Sequence, residues 1–209
     1  RRYDCIRALA KAQKTHPNLA LTPEKVGLQP YVTNEVYERL KSAMRDYRAL
    51  RKAGKDTKPS ECEITFLAGW LGHYVGDGSQ PLHTTMEYNG WVGPNPKGYT
   101  TGKQIHWRFE GTYVHANVKI GDVSSLVEGT KPEVMGDEFT DYMKYLRHSH
   151  ALVDEVYELD KQGAFTGAGT PAGKKFVDER LAAGAIELRN MIYTAWVKSA
   201  DPVREWNGN

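Results

Sequence analysis

Apolar side chains that recur every three or four residues dominate this 209-residue sequence, and their period constrains the fold more than any other feature. Beyond Pro30 the apolar positions are Val36, Leu40, Ala43, Met44, Tyr47 and Leu50, and charged residues fill the opposite face until Gly54. No stretch shows sustained strand alternation, and we find no internal repeat of about 20 to 50 residues. The sequence therefore predicts an all-α fold, with residues 1–209 forming a single helical domain.

The same period predicts further helices on both sides of this one. They run from Tyr3 to Thr15, from near Gln104, from Asp137 to Leu159, and from the cap residue Thr170 to a point before Pro202. Residues 88–101 are rich in Gly, Pro and Asn, which predicts a loop tethered between two helices. The stretch from Val118 to Val123 has only a weak pattern.

The helix predicted from Ser60 to about Gly76 is the most unusual element. Ser60 and Glu63 have the spacing of a capping box, which favours a helix start at this point. One apolar stripe consists of Ile64, Leu67, Ala68, Leu71 and Val75, and a second consists of Phe66, Trp70, His73 and Asp77. Two stripes predict a helix that is buried nearly all round. A histidine and an aspartate on such a helix need a chemical reason.

Two histidine–carboxylate pairs supply that reason. His73 precedes Asp77, and His106 precedes Glu110, by four residues, which places each pair on one helical face about 5 to 6 Å apart at Cβ. His83 follows the first pair after Pro81, which prevents the helix from continuing. A single pair of this kind is usually a hydrogen-bonded pair without a metal. Two pairs and a third imidazole favour a metal site, and nitrogen and oxygen ligands without thiolate suit zinc.

Composition sets limits on partners and compartment. A formal net charge of +2 does not indicate a basic nucleic-acid surface, and 40% hydrophobic with 26% charged residues is typical of a globular protein. No apolar run is long enough to cross a bilayer, so we expect no transmembrane segment. Cys5 and Cys62 are compatible either with a disulfide bond or with two separate thiols.

The metal residues lie in motifs that carry a family resemblance. Leu71-Gly-His-Tyr-Val-Gly-Asp77 with Gln80-Pro-Leu-His83, followed by His106 and Glu110, resembles the zinc-dependent phospholipase C and single-strand nuclease superfamily. The separation of His83 from His106 and the segment Arg180–Leu188 are similar to the nuclease branch. Glu110 followed by Tyr113-Val114 is more similar to the phospholipase branch. The resemblance is specific over about residues 60 to 115.

The resemblance implies an all-helical domain with three zinc ions at the floor of a cleft and a water between ions as nucleophile. His83, His106 and Glu110 would hold one zinc ion, and His73 and Asp77 would contribute to a second. Asp77 would also bridge to a third ion, which makes it the candidate catalytic residue. The family further implies a secreted or periplasmic protein.

The chain also departs from the family pattern. Family members begin with a tryptophan whose amino group binds zinc, followed by a histidine, and they supply further Asp and His ligands upstream. None of these is found before His73, and Asp4, His16 and Asp46 are poor substitutes. We therefore expect an N-terminally incomplete chain, with fewer than three zinc ions, one well-formed site at His83, His106 and Glu110, and weak or absent activity.

The preferred function is a nuclease or 3′-nucleotidase that cleaves P–O3′ bonds of single-stranded nucleic acid. A phospholipase C acting on phospholipid headgroups is the first alternative, and a non-catalytic, zinc-stabilised binding module is the second. Tyr88, Asn89 and Trp91 follow His83 closely and are candidate substrate-binding residues that would stack a nucleobase or contact a lipid headgroup. Aromatic residues in such a loop also commonly cover the core.

Overall fold

The structure is a computed structural model that describes residues 1–203, and this part of the chain is all-α, without a strand. Its α-helices are α1 (Arg2–Thr15), α2 (Pro23–Val26), α3 (Gln29–Lys52), α4 (Lys58–Ser79), α5 (Ile105–Trp107), α6 (Val114–Asn117), α7 (Ile120–Glu128), α8 (Glu138–Ala151), α9 (Val153–Lys161) and α10 (Pro171–Lys198). A 3₁₀-helix covers Pro81–Thr84, and a π-helical segment, Arg108–Tyr113, joins α5 to α6. The predicted all-α class is confirmed.

One hydrophobic cluster forms where α3, α4, α8 and α10 pack together. Its buried members are Val36, Tyr37, Leu40, Ala43, Met44, Leu67, Leu71, Val75, Met135, Tyr142, Met191 and Ala195. The apolar period predicted for α3 therefore does face the core, because four of its six predicted positions are buried there. This cluster fixes the direction of α4, which carries His73 and Asp77.

A second cluster lies beneath the loop after α4. It contains Leu82, Tyr99, Ile105, Phe109, Tyr113, Val153, Val156, Tyr157, Leu159, Ala164, Phe165, Phe176 and Val177. Leu82 anchors the 3₁₀-helix, while Ile105 and Phe109 anchor the helical stretch that carries His106 and Glu110. His83, His106 and Glu110 are therefore each adjacent in sequence to a residue that is buried in this cluster.

The predicted capping box at the start of α4 is wrong. The helix begins at Lys58, with Thr57 before it, so Ser60 lies inside the first turn and is buried. Thr57 Oγ1 instead donates to Glu61 Oε1 at 2.8 Å. Because Pro59 is tolerated in a first turn, the helix can start ahead of it. The same helix also extends beyond the predicted end at Gly76, to Ser79.

The prediction that α4 is buried nearly all round is also wrong. Leu67, Leu71 and Val75 are buried, but Phe66 and Trp70 are exposed by 67% and 39%. The rings of Phe66 and Trp70 pack against each other, with centroids 5.9 Å apart, on the outer face of the helix. The second apolar stripe is therefore a surface feature, on which His73 is exposed and Asp77 is half-buried.

The helix predicted from Asp137 to Leu159 is two helices, α8 and α9. The chain turns at Leu152, whose N–H binds Ser149 O at 3.1 Å in a tight turn that α8 does not continue. Tyr142 of α8 packs in the first cluster and Val156 of α9 packs in the second. Because the chain turns between them, the apolar residues of α8 and α9 pack in different clusters. The weakly patterned stretch after Val118 forms α7, whose first residue, Ile120, is 90% exposed.

Cys5 and Cys62 are both free, so the question left open by the sequence is answered against a disulfide bond. Among residues 1–203, no helix combines the length and hydropathy that crossing a bilayer requires.

Candidate metal centre

The C-terminal end of α4 brings the first three candidate ligands together. His73 Nε2 lies 3.5 Å from Asp77 Oδ2, as expected for positions one helical turn apart. Gln80 then adopts an extended backbone, and Pro81 begins the 3₁₀-helix that turns His83 back toward α4. His83 Nε2 consequently lies 3.9 Å from the other oxygen of Asp77.

The second pair lies on the helical stretch formed by α5 and the π-helical segment. His106 Nε2 is 3.0 Å from Glu110 Oε1, and Glu110 is inside the π-helical segment Arg108–Tyr113. Segments of this kind within α-helices are rare and occur frequently at functional sites. The sequence predicts a regular helix here, and nothing in its apolar period signals the wider turn.

His83, His106 and Glu110 meet as a group. One ligand atom from each lies within 4.8 Å of the others, and His83 Nε2 is 3.2 Å from Glu110 Oε2. The two imidazole rings stand edge to face, with centroids 4.7 Å apart. The structure thus brings together the three residues predicted to hold one ion. Asp77 lies next to His83, and His73 lies beyond Asp77.

The environment of His106 fixes which of its nitrogens faces the cluster. His106 Nδ1 lies 2.9 Å from the carbonyl oxygen of Tyr88, which can only accept a hydrogen bond, so Nδ1 carries the proton. In the neutral ring, Nε2 then presents a lone pair to the Glu110 carboxylate. Two lone pairs at 3.0 Å repel each other unless a proton or a cation lies between them. A ring N–H donated to a backbone carbonyl is also the usual support of a metal-ligating histidine.

Without a cation, a proton on His106 relieves this repulsion. The hydrogen bond with Glu110 raises the pKa of His106 above its ordinary value, although burial opposes the change. Burial would raise the pKa of Glu110, but hydrogen bonds from His106, His83 and Gln80 together hold it well below its ordinary value. The cluster therefore favours a charged carboxylate next to a positive partner.

Gln80 also supports the cluster, a role that the histidine–carboxylate spacing does not indicate. Its side-chain amide donates to Glu110 Oε2 at 3.1 Å, and its Oε1 accepts the N–H of Leu82 at the start of the 3₁₀-helix. The residue is only 7% exposed. The position of Gln80, directly before Pro81 and between two candidate ligands, is the feature of the sequence that points to this role. A buried amide needs hydrogen-bond partners.

We expect Gln80→Leu to weaken zinc binding about tenfold, because Glu110 loses the group that orients one of its oxygens. Zinc titration against a competing fluorescent chelator measures the effect. Gln162→Leu, at an exposed amide after α9, is the matched control and leaves the affinity unchanged. Equal affinities in the two variants would contradict the orienting role of Gln80.

The three predicted substrate-binding residues have different surroundings. Tyr88 is 58% exposed, and its ring centroid lies 6.2 Å from that of His106, at the rim of the cluster. Asn89 Nδ2 donates to Lys103 O at 3.0 Å, so its amide is engaged in holding the loop. Trp91 packs edge to face on Tyr157 with its indole N–H bonded to Pro94 O, which gives it a role in covering the core.

Two cavities border the cluster. One, of about 500 Å³, is lined by His83, His106 and Tyr88 together with residues of α2. The other, of about 440 Å³, lies between α4, the π-helical segment and α10 and includes Asp77 and Glu110 in its wall. Trp107 lines both. Its ring rests directly on Gly111, where an added Cβ would lie only 2.6 Å from the ring. The cluster is therefore open to ligands from two sides.

Comparisons of the chain with protein-family models, with curated proteins and with solved structures find no match.

Proposed function

We propose that this chain is a zinc-dependent phosphodiester hydrolase whose single well-formed metal site consists of His83, His106 and Glu110. The observation that supports the proposal is the convergence of these three donors, with His106 Nε2 3.0 Å from Glu110 Oε1. Zinc sites are tetrahedral, and three protein donors leave one position open. Sites of purely structural type normally fill all four.

The donor set fits zinc chemically, because it combines two imidazoles with one carboxylate, as catalytic zinc sites commonly do. Zinc bound there would polarise a phosphoryl oxygen and lower the pKa of a water molecule toward neutrality. Asp77 borders the cavity next to the three donors, and we assign it the role of accepting a proton from the attacking water. His73 lies farther out, with a side chain 68% exposed, and supports Asp77.

Single-stranded nucleic acid or a 3′-nucleotide is our first choice of substrate. The His83-to-His106 separation and the Arg180–Leu188 segment resemble the nuclease branch, and exposed Tyr88 offers a ring for stacking beside the cluster. Phospholipid is the second candidate, because Glu110 resembles the phospholipase branch and Trp107, which lines both cavities, is 69% exposed.

We expect zinc-loaded protein to cleave single-stranded DNA and to release phosphate from a 3′-nucleotide slowly, while leaving a phosphatidylcholine emulsion intact. Slow turnover follows from one ion, because a second and third ion would share the charge of the transition state. Gel analysis of the DNA, phosphate release and thin-layer analysis of the lipid measure the three reactions. Protein treated with EDTA is the control.

Hydrolysis of phosphatidylcholine alone would select the phospholipase alternative. Zinc binding without hydrolysis of any of the three substrates would contradict the enzyme proposal and favour the binding module. Activity that persists after removal of the metal would exclude the zinc mechanism.

A further inference from the structure

Arg180 is a cation on the inner side of α10, with its guanidinium carbon 6.0 Å from the centre of the Phe176 ring. It shares a helical face with Phe176 and Gly184, four residues before and after it, and is partly buried. Its Nε and Nη1 atoms are fully buried, yet neither makes a hydrogen bond within residues 1–203. In this part of the chain no carboxylate lies within 4.0 Å of its guanidinium.

A guanidinium in this position is unfavourable for folding. Arginine remains charged in proteins, and a buried donor without an acceptor costs the full penalty of desolvation. Burial lowers the pKa of Arg180, and the smaller electrostatic effects of Tyr145, Glu179 and Glu155 oppose this change. Stability alone therefore gives no reason for an arginine here, since an apolar side chain of similar size would fill the site at lower cost.

The surroundings of Arg180 indicate what it binds. It lines the 440 Å³ cavity that also contains Asp77 and Glu110 of the metal centre. Small residues contribute to its wall, with Gly72 and Gly76 on α4 and Gly184 on α10. At Gly184 an added Cβ would lie 3.2 Å from Ser79 Oγ, so glycine lets the two helices approach closely.

The remainder of the cavity wall is largely apolar and includes Val114, Val177, Leu181 and Leu188. A suitable ligand therefore combines an anionic group with an apolar part. An anion in this cavity would be repelled by Asp77 and Glu110 unless a metal ion offset their charges. Occupation of the metal centre and of the cavity should therefore be coupled.

We propose that Arg180 is a positioning residue that binds the phosphoryl group of an ester ligand inside this cavity, with the apolar substituent against the α10 wall. This inference rests on the proposed function, because it places the substrate phosphate beside the zinc ligands. Guanidinium groups suit phosphate through charge and several N–H donors.

Calorimetric titration of the zinc-loaded chain with phenyl phosphate tests the proposal. We expect Arg180→Met to weaken binding about tenfold, because a charge-assisted hydrogen bond is lost. Arg180→Lys should retain part of the affinity. Lys175→Met, which removes an exposed cation from the same helix, is the matched control and should bind like the native chain. Inorganic phosphate should bind more weakly than phenyl phosphate, since it lacks the apolar part.

Folding stability separates a binding role from a structural one. We expect Arg180→Met to unfold at the same or a higher urea concentration than the native chain, because two buried N–H groups without acceptors are removed. Marked destabilisation of both Arg180 variants would assign the arginine a structural role and overturn the proposal. Equal phenyl phosphate affinity in the native chain and Arg180→Met would also overturn it.

The zinc titration keeps the two proposals distinguishable. If Arg180→Met binds zinc normally and phenyl phosphate as tightly as the native chain does, the cavity proposal fails and the metal centre stands. If the native chain binds no zinc, the proposed function fails whatever Arg180 does. Repeating the titration with adenosine 3′-phosphate and with a short-chain phosphatidic acid then identifies which ester the cavity prefers.

Discussion

We expect His106→Ala to lower the zinc affinity of the chain by more than about a hundredfold, the largest effect of any single substitution considered. Loss of a supporting residue around a metal ligand costs about 10- to 100-fold, and loss of the ligand itself costs more. His106 supplies a nitrogen whose orientation is fixed by the Tyr88 carbonyl, and alanine offers no donor atom in its place.

The measurement is a zinc titration by chelator competition, together with metal analysis of the purified protein. His115→Ala is the matched control, because His115 is an exposed histidine on the adjoining helix α6. It should leave the affinity unchanged. The native chain should retain close to one zinc ion. Three tightly bound ions, or equal affinity in the two alanine variants, would contradict the assignment of the site.

Spacing predicted the side-chain contacts within each short segment of the candidate site. Residues four apart on a helix lie on one face, so the contacts of His73 with Asp77 and of His106 with Glu110 follow from local geometry. Contact between the pairs does not follow from spacing, because a loop separates His83 from His106. The resemblance to a known motif predicted that contact, and Leu82 and Ile105, buried in one cluster, explain it physically.

Other features could not be predicted for identifiable reasons. The apolar period shows which residues share a face of α4, but it does not show which faces other helices cover. It therefore does not predict that Phe66 and Trp70 face solvent. Leu152 is neither glycine nor proline, and the turn there arises from the two clusters on either side of it. The π-helical segment around Glu110 contains the same residue types as an ordinary α-helix, so the sequence does not reveal its wider turn.

Charged residues on the inner face of a helix can also be recognised in the sequence, although they belong to no motif. Arg180 falls on the same face as Phe176, and Glu187 lies two turns beyond it, so both could have been identified from the period of α10. Two opposite charges seven residues apart are about 10 Å apart along the helix axis, too far to pair. Each therefore needs its own explanation, and Glu187 does not line the cavity in which we propose that Arg180 binds a ligand.

We expect Glu187→Gln to stabilise the protein by about 2 kcal/mol at pH 8, with little effect near pH 4. Burial, and to a smaller extent the charge of Asp141, raises the pKa of Glu187 from an ordinary 4.5 to about 7, and its Oε1 has no hydrogen-bond partner within the described residues. A pKa raised this far corresponds to at most roughly 3 kcal/mol, which partial contact with solvent reduces.

The direction of the pH dependence follows from proton binding. Between about pH 4.5 and pH 7, the folded chain holds a proton on Glu187 that the unfolded chain has released, so this residue lowers the stability progressively as the pH rises. Glutamine is neutral at every pH and removes the dependence. Urea unfolding of both proteins at pH 4, 6 and 8 should show a difference that grows with pH. Glu179→Gln, at an exposed carboxylate on the same helix, should change the stability by less than about 0.5 kcal/mol throughout. A stability difference for Glu187→Gln that is constant across this range would mean that the carboxylate is not desolvated in the folded protein.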